Sequence, residues 1–294
     1  MPRPTSSPYR RREPTRAWST DGVAQVPPLD LDPRTAAFYR DVLEHLAGSA
    51  VPFLLGGSYA FEVYTDLGGR TKDLDIFLRA RDVKRALSVL SRVGYDAAVH
   101  SPHWIAKVRE DDQVVDLIFN SGNGLCPVDD AWFERARPAE VLGQQVRLIP
   151  VEEMIWQKAF IQERERYDGA DVMHLMRVHG RTLDWERLLA RFAGNWPVLL
   201  AHLILYDYVY PSERDRLPSF VLEDLLRRVA PSERHSIEER ICNGTVLSRA
   251  QYLPDVEQLG FLDGRLQQIG GALSRRAVQF ETERLRKELT SGEH

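Results

Sequence analysis

The residues of this chain best suited to chemistry are a glycine-glycine-serine turn, Gly56-Gly57-Ser58, two aspartates in Asp73-Leu74-Asp75, and a third, Asp116, inside Val114-Val115-Asp116-Leu117-Ile118-Phe119. Alternate side chains of a strand share a face, so Asp73 and Asp75 project together while Leu74 and Ile76 turn to a core. Like charges that close raise each other's proton affinity unless a cation neutralises them, and hard carboxylate oxygens suit a divalent metal such as Mg2+. Asp116 interrupts an apolar run, where an unpaired carboxylate is costly to bury, so it requires a partner or a cation. The glycine pair lets backbone N–H groups and the Ser58 hydroxyl approach a phosphate at a helix start. Metal and phosphate together point to nucleotide chemistry.

These residues need elements to position them. Asp32-Pro33 reads as an N-cap and first helical residue, followed by an apolar face of Phe38, Val42, Leu43 and Leu46, with the helix ending by Gly48. A strand over 51–55 leads into the glycine turn, and a short helix over 59–64 follows. Alternation predicts a strand over 73–78, and the spacing of Val83, Ala86, Leu87 and Leu90 predicts a helix from Asp82 to Val93. Strands over 104–109 and 113–119 form a hairpin around Asp111-Asp112, and a further strand is expected over 141–149. Beyond Pro150 the pattern turns helical, over 151–165, 168–178 and around Leu183, Val198, Phe220 and Leu262. The expectation is an α+β fold: residues 1–30 a disordered basic tail, 31–150 a mixed β-sheet domain, and 151–294 a helical domain.

The run FLLGGS, then DLDIF, with a later strand aspartate, resembles the nucleotidyltransferases of the polymerase-β-like superfamily over residues 50 to 120. The resemblance implies that Gly56, Gly57 and Ser58 hold the triphosphate of an NTP and that Asp73, Asp75 and Asp116 bind magnesium. It further implies transfer of NMP to a hydroxyl with release of pyrophosphate. Two branches are similar: the minimal and AbiEii-like enzymes of bacterial toxin–antitoxin systems, and the small antibiotic nucleotidyltransferases. The first carries a helix lysine and then a D-x-x-D motif, which Lys158, Asp168 and Asp171 resemble, with Tyr167 where that branch has a basic residue. Arg70, Lys72 and Lys158 are candidate phosphate contacts. Asp168 is either part of that motif or a helix N-cap, and Asp171 either a site residue or an ion-pair partner.

With 39 basic and 43 acidic residues the net charge is −4, which excludes a global positive field for nucleic acid. Any contact with tRNA or other RNA must be local, and a protein or a small molecule such as an aminoglycoside is an equally open acceptor. Cys126 and Cys242 have neither disulfide-framework nor zinc spacing, which fits a reducing cytoplasm. The longest apolar stretch, Trp196 to Tyr210, is interrupted by His202 and Asp207 and is short of a bilayer span, so no membrane segment is expected. The first twenty residues carry Arg3, Arg10, Arg11, Arg12 and Arg16 against Glu13, and no secretory signal is expected in them. His100 and His103 are expected to be surface residues of a loop, Trp196, Tyr206, Tyr208 and Tyr210 either helical core or a base-stacking cluster, and the charged C-terminal helix a solvated face. The alternative to an enzyme is an idle nucleotide-binding or interaction module, with an antitoxin as its partner.

Overall fold

The computed structural model describes residues 24–25, 31–67, 73–229, 239–268 and 273–291. In chain order the first half runs β1 (Ala24–Gln25), α1 (Pro33–Gly48), β2 (Leu54–Leu55), α2 (Gly57–Thr65), β3 (Leu74–Phe77), α3 (Ala80–Arg92), β4 (Asp96–Ser101), β5 (Ile105–Glu110), β6 (Gln113–Ile118), α4 (Asp130–Glu134), β7 (Arg137–Val141) and β8 (Gln144–Leu148). The second half runs α5 (Val151–Ala159), α6 (Gly169–His179), α7 (Trp185–Phe192), α8 (Trp196–Val209), α9 (Ser219–Val229), β9 (Ile241–Cys242), α10 (Arg249–Glu257), β10 (Leu262–Asp263) and α11 (Arg275–Ser291). The fold is α+β. One mixed sheet has the order β1-β7-β8-β2-β3-β6-β5-β4, and β9 and β10 form a separate parallel pair.

Local chemistry explains the elements that frame the sheet. The Asp32 carboxylate accepts the Arg34 and Thr35 backbone N–H groups at 3.0 Å, Pro33 fits the first turn, and Phe38, Val42, Leu43 and Leu46 are buried as their spacing requires. In α3 the buried stripe is Val83, Ala86 and Leu90. The centre of the sheet is what matters for function. β2 lies antiparallel to β3 and parallel to β8, and β3 lies parallel to β6 with Leu74 opposite Val115 and Asp75 opposite Asp116. Leu74, Ile76, Val115 and Leu117 are fully buried on the opposite face, each contributing ~1.5–3 kcal/mol by leaving water. Apolar residues from α1 through α9 join them in one contiguous core.

Several elements depart from the expectations above. The strand expected over 141–149 is split: Leu142 and Gly143, both at positive φ (52° and 78°), make a tight turn that pairs β7 with β8. The first strand shortens to Leu54–Leu55, and Asp73 immediately precedes β3 rather than lying within it. Strand β4 was not anticipated, and it contains His100. Helix α5 ends at Ala159 instead of reaching Glu165, because Gln162–Tyr167 offers no apolar side chains at helical spacing, and the chain reverses through a Gln162–Tyr167 bridge. Leu262 lies in a strand, not a helix. Residues 1–30 fall outside the described residues except Ala24 and Gln25, which pair with Ala139 and Glu140. The run Trp185–Val209 is long and apolar enough to cross a membrane by composition. It is bent at Ala193 (φ 42°), and Leu188, Phe192, Leu199, Leu203 and Tyr206 are buried in the core.

Candidate active site

The turn between β2 and α2 sets the geometry. The Gly56 N–H donates to the Asp75 carbonyl at 3.0 Å, tying the turn to β3. Gly57 has φ +54°, and a Cβ there would stand 1.8 Å from Asp75 Oδ2, so glycine is required twice over. A Cβ on Gly56 would likewise meet the Phe77 ring at 2.2 Å. The backbone of the α2 N-terminus therefore lies directly against the Asp75 carboxylate, with Ser58 exposed in the first turn. A helix start presents unpaired N–H groups and the positive end of its dipole, which suits a phosphate.

Register brings the carboxylates together. Asp75 and Asp116 are directly opposed on parallel neighbours, and Asp73, two residues before Asp75, lines the same cavity. Burial first, then the charges of Asp116 and Asp73, push the Asp75 carboxyl up to about 7. The buried Tyr39 phenol is also pushed up to about 12, first by burial and then by the charges of Asp73, Asp75 and Asp116. On the next strand, Lys107 is opposed to Asp116 and its Nζ donates to Asp116 Oδ1 at 2.8 Å. As the side chains stand, no three Asp, Glu, His or Cys residues among the described residues are gathered closely enough to enclose a metal ion. The donor set nevertheless fits a divalent cation in type, since Asp75 and Asp116 offer hard oxygens from directly opposed positions on neighbouring strands.

The opposite wall comes from α5, α6 and the reversal between them. Lys158 Nζ donates to Asp168 Oδ2 at 2.9 Å and to Asp171 Oδ2 at 2.6 Å. Arg166 makes two 3.0 Å bonds to the two oxygens of Asp168. Burial works to raise Asp168, but these bonds and the charges of Arg166 and Lys158 outweigh it and hold the carboxyl below its ordinary value. Asp168 occupies the N-cap position of α6, yet its side chain does not cap the helix and goes to the two cations instead. The cavity of about 630 Å³ between the walls is lined by Gly57, Ser58, Asp73, Asp75, Asp116, Lys158, Arg166 and Asp168, and further out by Trp104, Asn120, Thr245 and Arg249. That volume is within the range of small-molecule sites.

Most of the residues singled out from the sequence thus face one cavity. Arg70 and Lys72 lie outside the described residues. Lys107 and Arg166 escaped sequence reading, Lys107 because its role depends on strand register and Arg166 because it depends on a loop reversal. The tyrosines expected in one cluster part company: Tyr206 is fully buried, Tyr208 is 84% exposed, and neither lines the cavity. His103 is no surface residue, since its ring nitrogens contact Ser101 Oγ at 3.1 Å and the Gly122 carbonyl at 3.2 Å. The C-terminal helix is not merely solvated either, since Glu281 is fully buried and accepts from Ser101 and Arg249.

A glycine turn on a helix start, facing opposed strand aspartates in a mixed sheet, is the architecture of a nucleotidyltransferase. A family model described as uncharacterised nucleotidyltransferase matches residues 35–197, more than half of the chain, and the chain belongs to that family. No curated protein matches it. Among solved structures, the antibiotic-resistance factor ANT(2'')-Ia aligns with a TM-score of 0.41 at 14% identity, over 58% of this chain and 98% of its own. The lincosamide antibiotic adenylyltransferase LnuA, with lincomycin bound, aligns with a TM-score of 0.35 at 15% identity, over 50% of this chain and 98% of its own. JHP933 from Helicobacter pylori aligns with a TM-score of 0.34 at 13% identity, over 68% of this chain and 97% of its own.

Proposed function

We propose that this nucleotidyltransferase moves NMP from an NTP to a hydroxyl acceptor, with Mg2+ bound by Asp73, Asp75 and Asp116. The observation that carries the reading is the opposition of Asp75 and Asp116 beneath the Gly57 backbone at the start of α2. A divalent cation, when bound, supplies Lewis acidity to the α-phosphate and charge neutralisation to the leaving pyrophosphate. The chain's own groups do the rest. The N–H groups of the Gly56–Ser58 turn and the Ser58 hydroxyl hold phosphate oxygens, and Lys158 and Arg166 offset triphosphate charge from the opposite wall. Asp116 receives the acceptor's proton as the acceptor oxygen bonds to the α-phosphorus and the bond to the β-phosphate oxygen breaks. Residues 31–150 are proposed as the catalytic domain and 151–294 as the helical domain that supplies Lys158, Arg166 and Asp171. The proposed setting is the cytoplasm, where Cys126 and Cys242 stay free.

The test is incubation with each labelled NTP, Mg2+ and pooled acceptors comprising tRNA, protein and aminoglycosides, reading pyrophosphate release and labelled product. Release that disappears in Asp75→Asn and Asp116→Asn supports the proposal. Nucleotide binding with no turnover on any acceptor would make the protein an idle binding module instead.

A further inference from the structure

Lys107 takes no part in the proposed transfer, yet it is bonded to one of the carboxylates proposed to hold the metal. It lies on β5 directly opposite Asp116 on β6, so the two side chains project from the same face of the sheet into the region of Asp75. Its Nζ donates to Asp116 Oδ1 at 2.8 Å, and both side chains are largely shielded, at 23% and 18% exposure. An ammonium group held that close already supplies the positive charge that a metal ion would otherwise bring to this carboxylate. Asp75, directly opposite Asp116 on β3, lines the same cavity as Asp116. The site is therefore uneven: of the two opposed carboxylates, Asp116 is the one bonded to a cation of the protein's own.

Resting on the nucleotidyltransferase reading, we propose that Lys107 is a built-in stand-in for a metal ion. It occupies Asp116 in the free protein, so that divalent metal binds weakly alone and well only together with nucleotide. The triphosphate brings the extra negative charge that lets a divalent cation displace the ammonium from Asp116, and the released ammonium stays on the strand beside the site as a counter-charge. Lys107 is thus a positioning residue that couples metal binding to nucleotide binding.

The experiment is a Mn2+ titration followed by electron paramagnetic resonance, with and without a non-hydrolysable ATP analogue, on the parent protein, Lys107→Met, Lys107→Arg, Asp116→Asn and the Lys107→Met/Asp116→Asn double variant. A neighbouring charge shifts ionic equilibria of this kind by one to three logarithmic units, so Lys107→Met should tighten nucleotide-free Mn2+ binding about tenfold or more. Lys107→Arg, which keeps the charge, should remain close to the parent. In the Asp116→Asn background the Lys107→Met change should have no effect. Nucleotide should strengthen Mn2+ binding strongly in the parent and much less in Lys107→Met. Unchanged or weaker Mn2+ binding in Lys107→Met, with the parent still binding Mn2+ and nucleotide together, overturns the role of Lys107 and leaves the enzyme reading standing. Absence of Mn2+ binding in the parent even with nucleotide overturns both. Should Lys107→Met fail to fold, Lys107→Gln replaces it in the same comparison.

Discussion

Asp75 carries the pH signature of this protein. Its folded value, about 7, lies above the ordinary 3.8, so the stability it lends is complete below about pH 4 and drains away as pH rises toward 7. Asp75→Asn removes that loss: the variant should melt higher than the parent at pH 8 and show no such gain at pH 4, while turnover falls about 10²–10³-fold or more, as for loss of a principal electrostatic group. Thermal melts at the two pH values and an assay at pH 8 check both halves. Gly57 yields a second prediction, because a side chain there is strained by φ +54° and collides with Asp75 Oδ2. Gly57→Ala should cost about 1–3 kcal/mol and abolish nucleotide binding. Gly94→Ala, at φ +107° with open space around it, should be destabilised and keep its binding, measured by calorimetry. The three aspartates and the glycine turn were legible in the sequence because each breaks a local pattern, a charge in an apolar run or a glycine pair after a strand. Lys107 breaks none, since a lysine in a half-exposed strand is ordinary until register sets it against Asp116.

At the scale of elements, the site depends on the α5–α6 reversal, which folds Arg166 and Asp168 back onto Lys158. The helix was legible and its end was not: Glu163-Arg164-Glu165-Arg166 is as compatible with a solvated helix as with a turn, and the outcome is decided by the pairing of Arg166 with Asp168 and by the Gln162–Tyr167 bridge. The β7–β8 hairpin was hidden for a similar reason, because Leu142 at positive φ carries no turn signature of its own. Lys158→Met leaves Asp168 and Asp171 without one of their cations and strips a charge from the phosphate wall. It should raise the NTP KM at least about tenfold, the loss of a charge-assisted contact worth about 1.5–3 kcal/mol. Asp171→Asn, at a partly exposed position, should change stability by less than about 1 kcal/mol. Steady-state kinetics over a range of NTP with parallel melts separates these outcomes. An unaltered KM in a folded Lys158→Met protein would assign this lysine to structure alone.

Across the whole molecule, α11 is anchored rather than appended. Glu281 is fully buried and accepts from Ser101 at the end of β4 and from Arg249, whose side chain lines the outer cavity. Glu281→Leu leaves the buried Ser101 hydroxyl and the partly exposed Arg249 without this acceptor and should lower stability by about 1–3 kcal/mol, seen as an early denaturant midpoint. The charge pattern of this helix suggested only a solvated face because a single glutamate among many reveals burial only once its tertiary partners are known. The α+β layout, with the main sheet in the first half and mostly helices after it, was legible because alternation and 3.6-residue spacing are local properties, whereas strand order and register are not. The proposed chemistry depends on one placement, nucleotide over the Gly57 turn with a metal held by the opposed aspartates. Crystals grown with Mn2+ and a non-hydrolysable NTP test it directly through the anomalous signal of manganese. A manganese peak beside Asp75 and Asp116 is expected, with the triphosphate on the Gly56–Ser58 backbone, and manganese bound elsewhere, or a nucleotide seated away from that turn, would contradict this placement.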